Sequence, residues 1–236
     1  MEFTPVLHAE WIKIRTLRSL LGSLAAVLLV TTAFSALAVA DADGSDPLYS
    51  VFFGVSLGQI AAIAFGTTAV SAEFRGGALR LTLSAAPDRL RWFAAKAAAI
   101  ALPVLAVGLL TGLATLLVGK SVLGASGPAW GEGLRGAVGC ALQLTLMALF
   151  AAGLAAVLRS GVATLSVLIP FLLIVSFVIG DLSGGVADFL PDRAGQVALH
   201  STWDGALGPW TGLAVTALWS VAALLAGAWS LRRRDA

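Results

Sequence analysis

Charge is missing from most of this chain, and the places where it is missing are long. Only 12% of the 236 residues are Asp, Glu, Lys or Arg, about half the share of an ordinary soluble domain. Six runs carry no charged residue at all: Ser19–Ala40, Pro47–Ala72, Ala97–Gly119, Gly136–Leu158, Ser160–Gly180 and Gly205–Leu231. Cysteine is nearly absent too. Cys140 stands alone, which excludes an intramolecular disulfide and a cysteine-rich metal site. With only His8 and His200, and no carboxylate pair, Ser/His/Asp set or Cys/His set within one run, the chain offers no metal-ligand cluster and no catalytic constellation. It is expected to be neither an enzyme nor a binder of any cofactor. The segments between runs are short, which leaves no room for a separate soluble domain.

Each uncharged run has at least 21 residues, and a helix needs about 20 to cross a hydrocarbon core of roughly 30 Å. The pattern predicts an all-α integral membrane protein, one domain over residues 1–236. Its six transmembrane helices are expected near 19–40, 50–72, 97–119, 137–158, 161–180 and 210–231. Twelve of the fifteen Lys/Arg residues lie before the first run, in every second gap or after the last run, whereas the Asp/Glu split is five to eight the other way. By the positive-inside rule both termini are cytoplasmic. The pI of about 9.1 then reflects membrane flanks, and nucleic acid is not an expected partner; the lipid bilayer is. Ala38-Val39-Ala40 before Asp41 imitates a signal-peptide cleavage site, but the apolar run before it is longer than the 7–15 residues typical of such a peptide.

The N-terminus has its own pattern. Thr4 and Pro5 read as a helix cap and first position. Phe3, Leu7, Trp11, Ile14 and Leu17 then fall on one face, flanked by Glu10, Lys13 and Arg15. This is either an amphipathic helix at the membrane surface, about 4–18, or a simple extension of the first span. Glu73–Lys96 is the longest and most charged gap on the cytoplasmic side. It holds Gly76-Gly77, a helix-competent stretch at Ala78–Ala85, Pro87, and Asp88 in the first turn of a helix leading into span three. Such a short helix, turn and helix suit docking better than a plain connection.

Within the spans, Gly54-x-x-x-Gly58 and Gly108-x-x-x-Gly112 have the spacing of close helix contacts, though chance explains such pairs as well. Pro103 and Pro170 either shape a pathway or are tolerated kinks. Gln59 and Gln143 are the most polar side chains at depth and must face protein or a cavity; structural hydrogen bonding and substrate contact are both open. Asp181–Pro209 is apolar for a loop and suggests short helices dipping into the outer leaflet. Gly119-Lys120-Ser121 mimics a P-loop ending, but Ala114 stands where its first glycine belongs. Uncharged spans also lack the intramembrane ionisable groups common on ion-driven pathways, so the energy for any uphill transport would come from another chain.

Two segments carry a family resemblance. Glu10-Trp11-Ile12-Lys13-Ile14-Arg15-Thr16-Leu17-Arg18-Ser19 resembles the start of ABC-2 type permeases, most closely those of high-GC Gram-positive bacteria. Glu73-Phe74-Arg75-Gly76-Gly77-Ala78-Leu79-Arg80-Leu81-Thr82-Leu83-Ser84-Ala85-Ala86-Pro87-Asp88-Arg89, followed by Lys96, resembles that family's segment after span two. Asp88 departs from the basic or small residue usual there. The resemblance implies a permease subunit of a bacterial ABC exporter in the cell membrane. Leu7, Trp11, Lys13, Ile14 and Arg15 would belong to an elbow helix. Leu79, Arg80, Leu81, Thr82, Leu83 and Ser84 would form a coupling helix on a cytoplasmic ATPase subunit, with Glu73 and Arg75 nearby. It further implies a second permease copy, ATP and Mg bound only by the ATPase, and a re-entrant outer segment before span six. An apolar or amphipathic cargo would suit the uncharged spans. A stand-alone secondary carrier or channel, and a membrane anchor or sensor, are the alternative readings.

Overall fold

The computed structural model describes residues 3–41, 46–75, 88–175, 178, 185, 187–203 and 205–233. Among these the chain is helical, with no strand. Helix α1 (Phe3–Thr16) ends where Leu17 turns extended, and α2 (Arg18–Ala40) starts afresh beyond it. The N-terminal segment is therefore a helix of its own rather than a straight extension of the first run. Because α1 already includes Phe3, Thr4 lies inside the helix instead of capping it.

Asp46 starts α3 (Pro47–Phe52) by accepting a hydrogen bond from the Tyr49 amide, at 3.0 Å. Helix α4 (Val55–Ser71) follows after Phe53-Gly54 and ends in the 3-10 turn Ala72–Phe74. The next helix, α5 (Arg89–Leu123), is 35 residues long and passes Pro103 without interruption. Asp88 is its N-cap, accepting from the amides of Leu90 and Arg91, and sits just ahead of the first turn where the sequence placed it. Helix α6 (Trp130–Leu158) ends on Arg159 in the left-handed region (φ 52°). Ser160 then caps α7 (Gly161–Pro170), so two residues suffice to reverse the chain. Pro170 withholds an N–H from the ladder, and the next five residues, Phe171–Val175, wind as a π-helix. Short α8 (Pro191–Gln196) lies between the 3-10 turns Ala187–Phe189 and Val197–Leu199. The last helix is α9 (Pro209–Arg233).

Five helical stretches are long and apolar enough to cross a membrane: Arg18–Ala40, Pro47–Phe74, Arg89–Ser126, Trp130–Leu158 and Pro209–Arg233. The fifth predicted run appears as the shorter apolar helix Gly161–Ile174, and most of its remainder to residue 180 lies outside the described residues.

Helix α6 is the most enclosed, with α4, α5 and α9 packed around it. Small residues make this possible. A Cβ on Gly112 would meet the Ala137 carbonyl at 2.7 Å, and one on Gly108 the Ala141 Cα at 2.8 Å. The Gly54/Gly58 pair lies as closely against Thr31 of α2. Both glycine pairs therefore mark true helix contacts, where dispersion and close backbone approach hold helices together without help from the hydrophobic effect.

Candidate functional site

The bundle has two polar ends. At the proximal end, where α1, the end of α4 and the start of α5 meet, four charged side chains form a closed ring. Lys13 Nζ donates to Glu10 Oε1 at 3.0 Å and to Glu73 Oε1 at 2.8 Å. Lys96 Nζ donates to Glu10 Oε2, and to Glu73 Oε1 at 2.7 Å. The Trp92 indole adds a donor to Glu10 at 3.3 Å. Glu10, Glu73 and Lys96 are only 2%, 4% and 4% exposed. Two positive and two negative charges cancel, which is what makes their burial tolerable, since an isolated buried ion would be strongly penalised. Burial pulls the Lys13 ammonium pKa down, but the hydrogen bond from Lys13 to Glu73 and the Glu10 charge outweigh it and leave the value above the usual 10.5. Close by, Arg89 Nη1 donates to the Leu231 carbonyl at 2.7 Å and ties α5 to the end of α9.

Of the residues expected near a docking element, the ring takes Lys13 and Glu73. Ile14 is buried beside it and Leu7 packs partly on the core, while Arg15 and Arg75 are exposed and Trp11 lies on the outward side. The buried face of α1 thus runs through Glu10 and Ile14. The sequence reading put Glu10 on the flank and Trp11 and Leu17 on the apolar face. The reason for the rotation is chemical: Lys13, Lys96 and Trp92 together satisfy Glu10. Leu79, Arg80, Leu81, Thr82, Leu83 and Ser84 lie outside the described residues. Glu10, Trp92 and Lys96 were missed as a set. A signal was present: Glu10 is the only acidic residue between Phe3 and Ala40, and Trp92 and Lys96 share a helix face at i, i+4.

At the distal end, Asp46 is the clasp. Besides capping α3 it accepts from the Ser201 amide at 3.2 Å and faces His200 Nδ1 at 2.9 Å. Tyr49 stacks on the His200 ring, centroids 4.3 Å apart. Burial raises the Asp46 pKa, yet these hydrogen bonds overcome it and hold the carboxyl below its usual value. Arg135 of α6 donates to the His200 carbonyl at 2.8 Å, fixing the same turn from the other side.

Beside the clasp is a cavity of about 540 Å³ between α3, α4, the π-helical turn and the segment around α8. Ser56 Oγ donates to Gln196 Oε1 at 3.2 Å and links two of its walls. Gln59 lines it, is 3% exposed, and its Oε1 meets no donor among the described residues. Gln143 behaves differently: its Nε2 donates to the Asp192 carbonyl at 3.3 Å, and Thr216 Oγ1 donates to the Pro191 carbonyl at 2.8 Å, so α8 is pinned to α6 and α9. Gln143 Oε1, like Gln59 Oε1, meets no donor among the described residues, but Gln143 is held inside the core by its Nε2 whereas Gln59 faces the cavity.

In comparisons with known proteins, no family model and no curated protein matches the chain.

Proposed function

We propose that the chain is the permease subunit of an ABC exporter in a bacterial cell membrane. In this reading it has six spans, both termini in the cytoplasm, and a second permease copy as its partner in forming the pathway. A separate cytoplasmic ATPase binds ATP and Mg and drives transport. The observation that carries the reading is the ring at the proximal end. It joins α1 to Glu73 and Lys96, which stand on either side of residues 76–87, where the resemblance puts the coupling helix. A movement of Leu79–Ser84 against an ATPase would be passed through Glu73 into α4, through Lys96 into α5, and through Lys13 and Glu10 into α1. Rigid, charge-matched linkage at the base of a docking segment serves that purpose. An isolated anchor has no use for it.

The test is co-purification. The tagged full-length chain should bring down a soluble P-loop ATPase whose hydrolysis is vanadate-sensitive. Leu79→Glu combined with Leu83→Glu should lose that partner while the chain still reaches the membrane. Retention of the ATPase by the double variant removes the docking assignment. Uphill transport by the purified chain alone, in liposomes without any ATPase, removes the exporter reading altogether.

A further inference from the structure

We propose that the distal cavity is a binding site for a small organic cation with N–H donors on an apolar body. Its volume of about 540 Å³ lies within the range of small-molecule sites, roughly 300–1,000 Å³. Three features select the ligand chemistry. The first is Gln59, whose carboxamide oxygen is buried with no donor among the described residues. An amide held this way at membrane depth is costly unless something supplies the missing hydrogen bond, and a ligand N–H would do so. The second is charge. Among the lining residues the acids Asp188 and Asp192 outnumber the one arginine, Arg193, while His200 is held against Asp46 at the rim. The third is aromatic. Tyr49 and Phe53 both line the cavity and meet edge to face, centroids 5.8 Å apart at 88°, and an aromatic lining favours a cation over an anion.

The walls are held before any ligand arrives. Gln143 and Thr216 fix α8 through backbone carbonyls, Ser56 bonds to Gln196, and the Asp46–His200 contact closes the rim. A site arranged in advance loses less ordering entropy on binding. The proposal stands on these residues alone and does not rest on the ATPase-driven reading.

The experiment uses the full chain in phosphatidylcholine nanodiscs with no ATPase present, titrated with ethidium, a fluorescent cation bearing amino donors. Empty nanodiscs provide the background. Saturable binding is expected, and Gln59→Leu should weaken it about tenfold, the worth of one buried hydrogen bond. Asp188→Asn should weaken it as well, and Leu57→Trp, which fills the cavity, should abolish it. Tetraphenylphosphonium, a cation without donors, should compete weakly and equally in wild type and Gln59→Leu. Gln59→Leu removes an unpaired amide, so its thermal unfolding should come no earlier than that of wild type, which separates lost binding from lost fold. Absence of saturable ethidium binding overturns the proposal, as does binding that survives both Gln59→Leu and Leu57→Trp. Preference for anionic fluorescein over ethidium overturns it too.

Discussion

The two ends of the bundle handle buried polarity in opposite ways. At the proximal end, Glu10, Lys13, Glu73 and Lys96 are as hard to bury as any side chains, yet each is matched with two partners of opposite charge. At the distal end the polar groups are milder, but Gln59 has no donor among the described residues and sits beside open space. The first arrangement is closed and has nothing to offer a ligand. The second is incomplete among the described residues. Neither burial nor an unmatched acceptor alone marks a binding site, since Gln143 Oε1 is also unmatched; an unmatched acceptor beside open space is what sets Gln59 apart.

The sharpest way to break this contrast is to unbalance the closed end. Lys96→Ala would leave Glu10 and Glu73 buried with one of their two ring cations, Lys13, between them. Removing one partner of a buried ion pair costs about 3–5 kcal/mol, so this variant should show the largest loss of stability, read as unfolding in mixed micelles. Lys96→Met combined with Glu10→Gln keeps the remaining Lys13–Glu73 pair neutral and should recover much of that loss. If the double variant is no more stable than Lys96→Ala, charge balance is not what holds the ring.

The contrast also explains what could be read from the sequence. Hydrocarbon thickness imposes a length on each apolar run, so the long helices were legible, as was the hairpin at Arg159-Ser160. The glycine pairs were legible as candidates, because spacing defines a face but not whether another helix is there. The ring was not legible, for a physical reason. Its members lie at positions 10, 13, 73 and 96, and periodicity reports only neighbours on one helix. Amphipathic reasoning also assumes that charge points outward, which fails for Glu10 because Lys96 and Trp92 satisfy it from another helix. The division between Gln59 and Gln143 was hidden in the same way, since it depends on whether α8 supplies a carbonyl.

A second, smaller perturbation tests whether the distal wall is as fixed as its hydrogen bonds imply. A Cβ on Gly195 would overlap Gln143 Oε1, so Gly195→Ala must displace the amide that bonds to the Asp192 carbonyl. Overpacking of this kind costs about 1–3 kcal/mol. Adding Gln143→Ala vacates the space and should restore part of the stability. Ethidium affinity should fall in Gly195→Ala through the shifted α8. An unchanged affinity would mean that α8 is not a working wall of the cavity.

The smallest expected effect separates the ends by pH. Lys13 has its folded pKa above 10.5. Its contribution is therefore fully present below the unfolded value and lost as pH rises through the folded one. Asp46 has its folded pKa below the usual 3.8. Its contribution is present above the unfolded value and lost as pH falls through the folded one. The proximal end should thus weaken in alkali through Lys13, and the distal end in acid through Asp46. Lys13→Arg, whose guanidinium stays protonated, should flatten the alkaline fall in unfolding temperature and leave the acid side alone. Asp46→Asn, which still accepts from the Tyr49 amide, should remove part of the acid fall and leave the alkaline side alone. Both variants altering the same limb would show that the two ends unfold as one cooperative unit whose titration cannot be assigned locally. Separate limbs would show that the closed end and the open end answer to different protons.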